Sequence, residues 1–460
     1  MYKIRIRNFE KKNLIDELIQ VFLRPSEYEI TDGADNAAAG DEILTFNEDG
    51  HLDRDGIKRD VYEKLSRITG LKPEWGILTG IRPVKLCSEL FDRTGNLDEV
   101  KRIFREVYLL SEDKTEDVTK MYLYQQKFAG KAPDKSACVY IGIPFCPTRC
   151  LYCSFASNQV ADSEIARYLT ALLKEVRRVG RRMKETGMYA ESLYIGGGTP
   201  TTLSAEQLES LMDEIRNSFD LSGLREYTVE AGRPDTITDE KLQAIRSGGA
   251  DRISINPQSM KKRTLELIGR SHSPEDIVRA FETAKNFGFK SINADIIAGL
   301  PEEDVTDFTD TLTQVMNLGA DNITVHCLAV KRASRLIEED PDFHYRQGET
   351  VGRMLAGSRR ILTEAGFRPY YLYRQKHMAG AGENTGWCRP GTEGIYNMRI
   401  MDEHQSNIAL GAGGISKIYY PAENRLERVA NVTNYEQYID RIDEMIKRKE
   451  DNIFTEVEKW

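Results

Sequence analysis

Apolar and polar positions alternate along this chain in a way that sets a regular middle apart from two less regular flanks. Six short β-rich runs stand out between residues 137 and 335: Val139–Ile143, Ser192–Ile195, Glu226–Glu230, Arg252–Asn256, Ser291–Ile296 and Asn322–Leu328. Each of the first five is followed by apolar residues at helical spacing. From Glu164 to Arg182, the residues Ile165, Tyr168, Leu169, Leu172, Leu173 and Val176 share one face. Ser204 and Gln207 make a capping-box pair before a helix that buries Leu208, Leu211, Met212 and Ile215. Ser273 and Pro274 read as N-cap and first helical residue, and Gly288 as the stop. Thr306 is the expected cap of the helix carrying Phe308, Leu312 and Val315.

Strands alternating with helices imply a parallel sheet, because parallel neighbours need crossover helices. Six such units rather than eight predict an α/β protein built on a partial (β/α)6 barrel of TIM type, open on one side. Its active residues should lie on the loops after the strands.

The flanks lack this rhythm. Tyr2–Arg7 predicts a strand, Lys12–Leu23 a helix, and Asp32–Asp41 a loop of small polar residues. Trp75–Pro83 (WGILTGIRP) is punctuated by Gly and Pro, and its role does not follow from its residues. The resulting organisation is an N-terminal α+β region at 1–130, a linker at 131–136, the barrel core at 137–335, and a C-terminal region at 336–460 expected to cover substrate. The acidic Glu338–Asp342 marks the last boundary.

Composition narrows the class. With 460 residues, of which 40% are apolar and 30% charged, the chain has the make-up of a soluble globular protein of about three domains. The opening MYKIRIRNFEKKN holds no apolar leader core, and no run is long enough to span a bilayer. A net charge of −9 argues against non-specific nucleic-acid binding, which rests on neutralising phosphates. Cys87, Cys138, Cys327 and Cys388 are scattered singly among seven cysteines, unlike a disulfide framework. Packed or reduced thiols in a cytoplasmic protein are expected.

The remaining three cysteines carry the chemistry. In YIGIPFCPTRCLYCSFAS (140–157), Cys146, Cys150 and Cys153 follow the first barrel strand with C-x3-C-x2-C spacing. Three thiolates on one short loop can hold three irons of a 4Fe–4S cubane and leave the fourth open. An open iron can chelate the amino and carboxylate groups of S-adenosylmethionine, and one electron then breaks the sulfonium bond to give a 5′-deoxyadenosyl radical. Zinc is the structural alternative, but it normally takes four protein ligands, and no fourth Cys or His lies near the loop. The second strand ends in Gly196–Gly197–Gly198–Thr199–Pro200–Thr201, where missing side chains let the backbone approach a ligand closely.

These residues resemble the radical S-adenosylmethionine superfamily. Within it, YxxIPFC, GGGTPT, Glu230, NPQS (256–259), IGRSH (268–272) and NADIIAGLP (293–301) are similar to the oxygen-independent coproporphyrinogen III oxidase family. The likeness runs from about residue 137 to 335, with a weaker echo at GAGGISK (411–417). WGILTGIRP and RPYYLYRQKHMAGAGEN look most like its coproporphyrinogen dehydrogenase HemZ branch. The resemblance implies that Cys146, Cys150 and Cys153 ligate the cluster, while Tyr140, Gly197, Gly198 and Thr199 line the S-adenosylmethionine site. It also implies that Glu230, Gln258, Arg270 and Asp295 hold the methionyl or ribose portions, with Ala329 near the adenine. The implied reaction is oxidative decarboxylation of two propionates of coproporphyrinogen III to vinyl groups, with flavodoxin or ferredoxin as electron donor.

Two departures bear on that reaction. Phe155 stands where the oxidases carry a fourth cysteine, and Gly142 where many carry His. Heme-binding chaperones of the same superfamily also lack the fourth cysteine, so a carrier without turnover is the first rival; a radical enzyme that opens the heme ring is the second. A substrate with four carboxylates calls for cations. Lys331, Arg332 and Arg335 after the last strand, and Arg374, Lys376 and His377 further on, are the candidates, each explained as well by a solvated charged loop. Arg177, Arg178, Arg181 and Arg182 read as a solvated helix face. Tyr370, Tyr371 and Tyr373 suit either a tetrapyrrole face or ordinary strand packing.

Overall fold

In the computed structural model, residues 1–9, 13–31, 41–80, 82–153, 157–329, 336, 343, 347–375, 378 and 382–455 are described. Phe155, Lys331, Arg332, Arg335, Lys376, His377 and the acidic 338–342 segment lie outside them. So does the small polar loop expected at 32–41, apart from Asp41. Among the described residues no helix is long and apolar enough to cross a membrane.

Fourteen described strands form two sheets. Three belong to the N-terminal flank: β1 (Tyr2–Ile6), β2 (Tyr28–Ile30) and β3 (Glu42–Phe46), all parallel in the order β2-β1-β3. Next come β4 (Ser136–Ile143), β5 (Tyr189–Gly197), β6 (Glu226–Glu230), β7 (Arg252–Ser254), β8 (Ser291–Ala298) and β9 (Asn322–Cys327). These six run parallel in sequence order, as the alternating pattern predicts, and make the partial barrel. The last five are β10 (Arg368–Tyr373), β11 (Asn384–Cys388), β12 (Ser406–Leu410), β13 (Ile415–Tyr420) and β14 (Arg425–Ala430).

These last strands extend the barrel sheet at both edges. β12 adds parallel to β4 and continues antiparallel into β13 and β14, while β11 and β10 add antiparallel beyond β9. One eleven-stranded sheet results. The outermost strand, β14, reads RLERVA; its charged residues blunt an edge that would otherwise invite another chain.

Local chemistry sets the helix ends. Ser204 and Gln207 close a full capping box, and Leu208, Leu211, Met212 and Ile215 are buried as the periodicity predicts. Ser273 caps Pro274–Asn286, and Gly288 follows in the left-handed region. The cap expected at Thr306 falls instead on Asp304, whose carboxylate accepts the amides of Thr306 and Asp307. A carboxylate satisfies two orphan amides and meets the positive helix end, which a threonine hydroxyl does less well. The helix expected over 12–23 is shorter, Asn13–Ile19, before the chain breaks into turns.

Two contacts fasten the flanks, one to each other and one to the barrel. In the first, Trp75 of WGILTGIRP donates its indole N–H to Glu383 at 2.9 Å, and Lys114 pairs with the same carboxylate at 2.7 Å. The Arg374 guanidinium stacks 5.0 Å from the Trp75 ring and donates to the carbonyls of Leu78 and Gly382. Arg374, expected as a substrate cation, thus joins the two flanks instead. Tyr370 and Tyr371 are likewise structural: both are buried, and the Tyr371 ring lies flat over Gly386, where a Cβ would overlap it.

In the second contact, Glu175 and Lys449 form an ion pair at 2.8 Å with neither side chain exposed. Glu175 also accepts from Tyr438, Asn431 and the Gly411 amide. The helix Asp162–Glu185 is thereby bound to GAGGISK and to the C-terminal helices. Replacing Lys449 by Met would leave a buried carboxylate without its cation, so about 3–5 kcal/mol of stability should be lost in equilibrium unfolding. A loss below about 1 kcal/mol, the size of a surface pair, would show that the pair does not hold this contact.

Candidate active site

β4 ends in Ile143, and the chain turns through Pro144 and Phe145 into the cysteine loop. Backbone bonds shape that loop: the Cys146 amide donates to Asn158 O, the Asn158 amide to Pro144 O, and the Leu151 amide to Ile268 O. Cys146 lies near enough to Cys150 and Cys153 to feel both, and burial pushes its thiol up to about 11. At neutral pH it is therefore protonated until a metal replaces the proton. No three His, Cys, Asp or Glu among the described residues converge as they would on a single ion. Three soft thiols from one loop are a donor set suited to an iron–sulfur cluster.

The glycine run is explained by what presses on it. A Cβ on Gly196 would meet the Tyr194 ring at 2.8 Å and the Glu230 carboxylate at 2.9 Å. Gly197, at φ +116°, lies against the backbone of Ile143. On Gly198 a Cβ would meet Phe145 O at 2.5 Å and Cys146 Sγ at 2.9 Å. The Gly198 amide donates to Ile143 O and the Thr199 amide to Phe145 O, both at 2.8 Å. The Thr199 hydroxyl reaches Cys146 Sγ at 3.5 Å. The end of β5 is thus the floor on which the cysteine loop rests.

Inside the barrel the other expected residues meet. Tyr140 stacks with Tyr194 and Tyr396, and the Tyr194 hydroxyl donates to Glu230 at 2.5 Å. Burial pushes the Glu230 carboxyl up to about 7; the Asp295 charge adds to this, while Tyr194, the Gly197 amide and His326 oppose it. Burial also raises Asp295, but the hydrogen bond and charge of His326, with Asn293 and Thr324, outweigh it and hold this carboxyl below its ordinary value. The Gln258 amide donates to Asp295 O at 2.9 Å, its backbone is left-handed at φ +64°, and its buried Oε1 has no partner among the described residues. A buried acceptor left open calls for a ligand or water. Arg270 is buried and donates to Gly232 O, Asn256 O and the Tyr152 hydroxyl. Ala329 stands just past β9, bridged to Met378.

Several residues here were not singled out from sequence. Arg233, in the loop after β6, is buried; it donates to Thr148 at 2.9 Å and to Ser271 at 2.9 Å, and lies 3.9 Å from Cys150 Sγ. It places a second guanidinium beside the cysteine loop. The rule that active residues follow barrel strands points to Arg233, but a lone arginine carries no signal of its own. Tyr396 and His326 were missed as well. A cavity of about 1160 Å3 lies between helix Gly348–Glu364 and the N-terminal flank, and none of the expected cofactor residues lines it.

This arrangement, thiol loop, glycine floor and buried carboxylates around a parallel-strand mouth, defines a radical S-adenosylmethionine fold, and the Radical SAM superfamily profile matches residues 140–315. The oxygen-independent coproporphyrinogen-III oxidase-like protein HemZ of Bacillus subtilis is 37% identical over 393 residues, covering 84% of this chain and 78% of that protein. The heme chaperone HemW of Bacillus subtilis is 35% identical over 193 residues, 42% of this chain and 50% of HemW. The solved coproporphyrinogen III oxidase HemN of Escherichia coli, a radical SAM enzyme, superposes with a TM-score of 0.55 at 24% identity, over 71% of this chain and 73% of that one. The chain belongs to the HemN/HemZ family of radical SAM proteins.

Two measurements test the site. Gly198→Ala should push the cysteine loop off its floor, and iron bound after anaerobic reconstitution should fall severalfold; full loading would refute the packing argument. A carboxyl raised above its ordinary 4.5 favours folding while protonated, so that contribution is present below about 4.5 and lost as pH rises through about 7. Glu230→Gln should flatten the decline in melting temperature of the cofactor-free protein across that window, and an unchanged pH profile would refute the assignment.

Proposed function

We propose that this protein is a radical S-adenosylmethionine enzyme that acts on a tetrapyrrole, oxidatively decarboxylating propionates of coproporphyrinogen III to vinyl groups. The observation that carries the reading is the junction of the cysteine loop with the glycine floor and Glu230, together with 37% identity to HemZ along most of both chains. In this reading Cys146, Cys150 and Cys153 hold a 4Fe–4S cluster, and Tyr140, Gly197, Gly198, Thr199, Glu230, Gln258, Arg270, Asp295 and Ala329 hold S-adenosylmethionine. When bound, these two groups supply a carbon-centred radical able to remove a substrate hydrogen.

The chain's own residues do the positioning. Gly197 and Gly198 leave backbone exposed where a side chain would block a ligand's approach. Glu230, with a carboxyl near half-protonated at neutral pH, can both donate and accept, which suits a diol or an ammonium group. The open Gln258 Oε1 adds an acceptor. Arg270 sets positive charge beside Cys150, offsetting the negative charge that a thiolate brings there, while the neighbouring Arg233 is paired with Asp235. Stacked Tyr140, Tyr194 and Tyr396 wall the lumen with rings, excluding water from a reactive intermediate.

Anaerobic turnover of the reconstituted protein with coproporphyrinogen III, a reductant and S-adenosylmethionine should give a product two carboxyl groups lighter. Cys150→Ser should abolish it. Stoichiometric heme binding without product would instead support a carrier, the function named for the heme chaperone HemW, and a linear product from heme would support ring opening.

A further inference from the structure

The barrel lumen holds a polar chain that runs on from one of the proposed cofactor contacts, Asp295, to residues the cofactor reading does not use. Asn293 Nδ2 donates to Ser254 Oγ at 2.7 Å and to Asp295 Oδ1 at 2.9 Å, and the Ser254 hydroxyl donates to Asn256 Oδ1 at 2.6 Å. Beyond Asp295 the chain reaches His326, whose Nε2 lies 3.5 Å from Asp295 Oδ2.

His326 is the next-to-last residue of β9, so it stands at the strand's C-terminal end, where barrels place their chemistry. Register fixes its direction. β8 and β9 pair Asp295 with Thr324 and Ile297 with His326, and residues paired across parallel strands share a face. Val325 and Cys327, on the other face, belong to the apolar core packed under the helices. The imidazole therefore faces the lumen one level above Thr324, and its side chain keeps 28% exposure in a wall that is otherwise largely closed. One nitrogen faces Asp295, which orients the ring and leaves the other nitrogen to serve a ligand.

We propose that His326, held by Asp295, is the residue that takes a carboxylate of the substrate at the barrel mouth. The inference rests on the tetrapyrrole reading above and deepens it by naming a contact. It also answers a need left open when Arg374 was found tied to Trp75 and Leu78: a propionate entering a lumen lined by Glu230 and Asp295 requires a cation to offset their charge. The titratable groups around the pair, among the described residues, are Glu230 on β6, Tyr194 on β5, and Tyr371 and Tyr373 on β10. Of these only Glu230 titrates near neutrality.

Coproporphyrin III, which carries four carboxylates, and its tetramethyl ester, which carries none, are the probes. Binding to the reconstituted protein is read by fluorescence quenching. The wild type should bind the acid more tightly than the ester. His326→Gln, which keeps a hydrogen-bonding group without the imidazole, should weaken acid binding about tenfold and leave the ester within twofold. His326→Lys should restore acid binding. Acid binding unchanged in His326→Gln, or acid and ester weakened equally, overturns the assignment of His326 alone. Failure of the wild type to bind either porphyrin overturns the tetrapyrrole reading, and this proposal with it.

Discussion

Two backbone hydrogen bonds, from the Gly198 and Thr199 amides to the carbonyls of Ile143 and Phe145, hold the cysteine loop to the end of β5. They exist only because residue 198 has no side chain, since a Cβ there would overlap both the accepting carbonyl and the Cys146 sulfur. The same short stretch meets Glu230 through Gly196 and through the Gly197 amide. Loop, floor and carboxylate are therefore one packed unit. Such a unit tolerates little volume change, because interiors are close to crystal density. This is a different use of a glycine run from the one its composition suggests. Backbone approach to a ligand is available at Gly197, but most of the room that these glycines create is filled by the protein itself.

The charge arrangement follows from that packing. Buried acidic groups on one side of the mouth, Glu230 and Asp295, face opposite fates: burial with a like charge nearby pushes the first up to about 7, while His326, Asn293 and Thr324 hold the second down. Two neighbouring carboxyls driven apart in this way can serve different roles at one pH. On the cysteine side, Arg233 and Arg270 are buried beside Cys150, but their charges are met differently: Arg233 pairs with Asp235 at 3.1 Å, whereas Arg270 donates to the carbonyls of Gly232 and Asn256 and to the Tyr152 hydroxyl. The Arg270 charge is thus held by neutral groups of the scaffold, which makes it effective in a low-dielectric site.

Much of this was legible in the chain, and the reasons for the rest are physical. The six parallel strands and their helices follow from periodicity, since each helix buries one stripe and each strand lies under it. Cysteine spacing, GGGTPT and the capping boxes are local signals and read correctly. The helix cap at Asp304 was misplaced to Thr306 because both are capping residues two apart, and only the geometry of the turn decides between them. Of the edge strands, β10 was anticipated only as one of two readings of Tyr370, Tyr371 and Tyr373, and β11 to β14 were not anticipated. Their pairing joins Ser406 to Ala137 and Cys388 to Asn322, contacts far apart in sequence that no local pattern encodes. Arg374 was read as a substrate cation or part of a solvated charged loop, yet its Trp75 and Leu78 partners lie some three hundred positions away. His326 carried no motif at all, and only the strand register shows that it faces the lumen.

The C-terminal strands also change what the open side of a six-stranded barrel means. An incomplete barrel leaves β4 as an exposed edge next to its own active loop, and an unpaired edge would let the Gly142–Cys146 segment shift. Here β12 pairs with β4 through Leu410 opposite Ile141. Gly411 then packs on the Gly142 carbonyl, and Tyr168 donates its hydroxyl to that same carbonyl at 2.7 Å while accepting the Ala412 amide. Glu175, one helical turn pair further along, takes the Gly411 amide and is itself neutralised by Lys449. A run of fully buried polar contacts thus links the C-terminal helices to the strand that delivers the first cysteine. Polar groups this deeply buried are costly if any member is lost, so the order of the cysteine loop is coupled to the docking of residues more than two hundred and fifty positions downstream. Residues 406–454 are part of what gives the cysteine loop its shape.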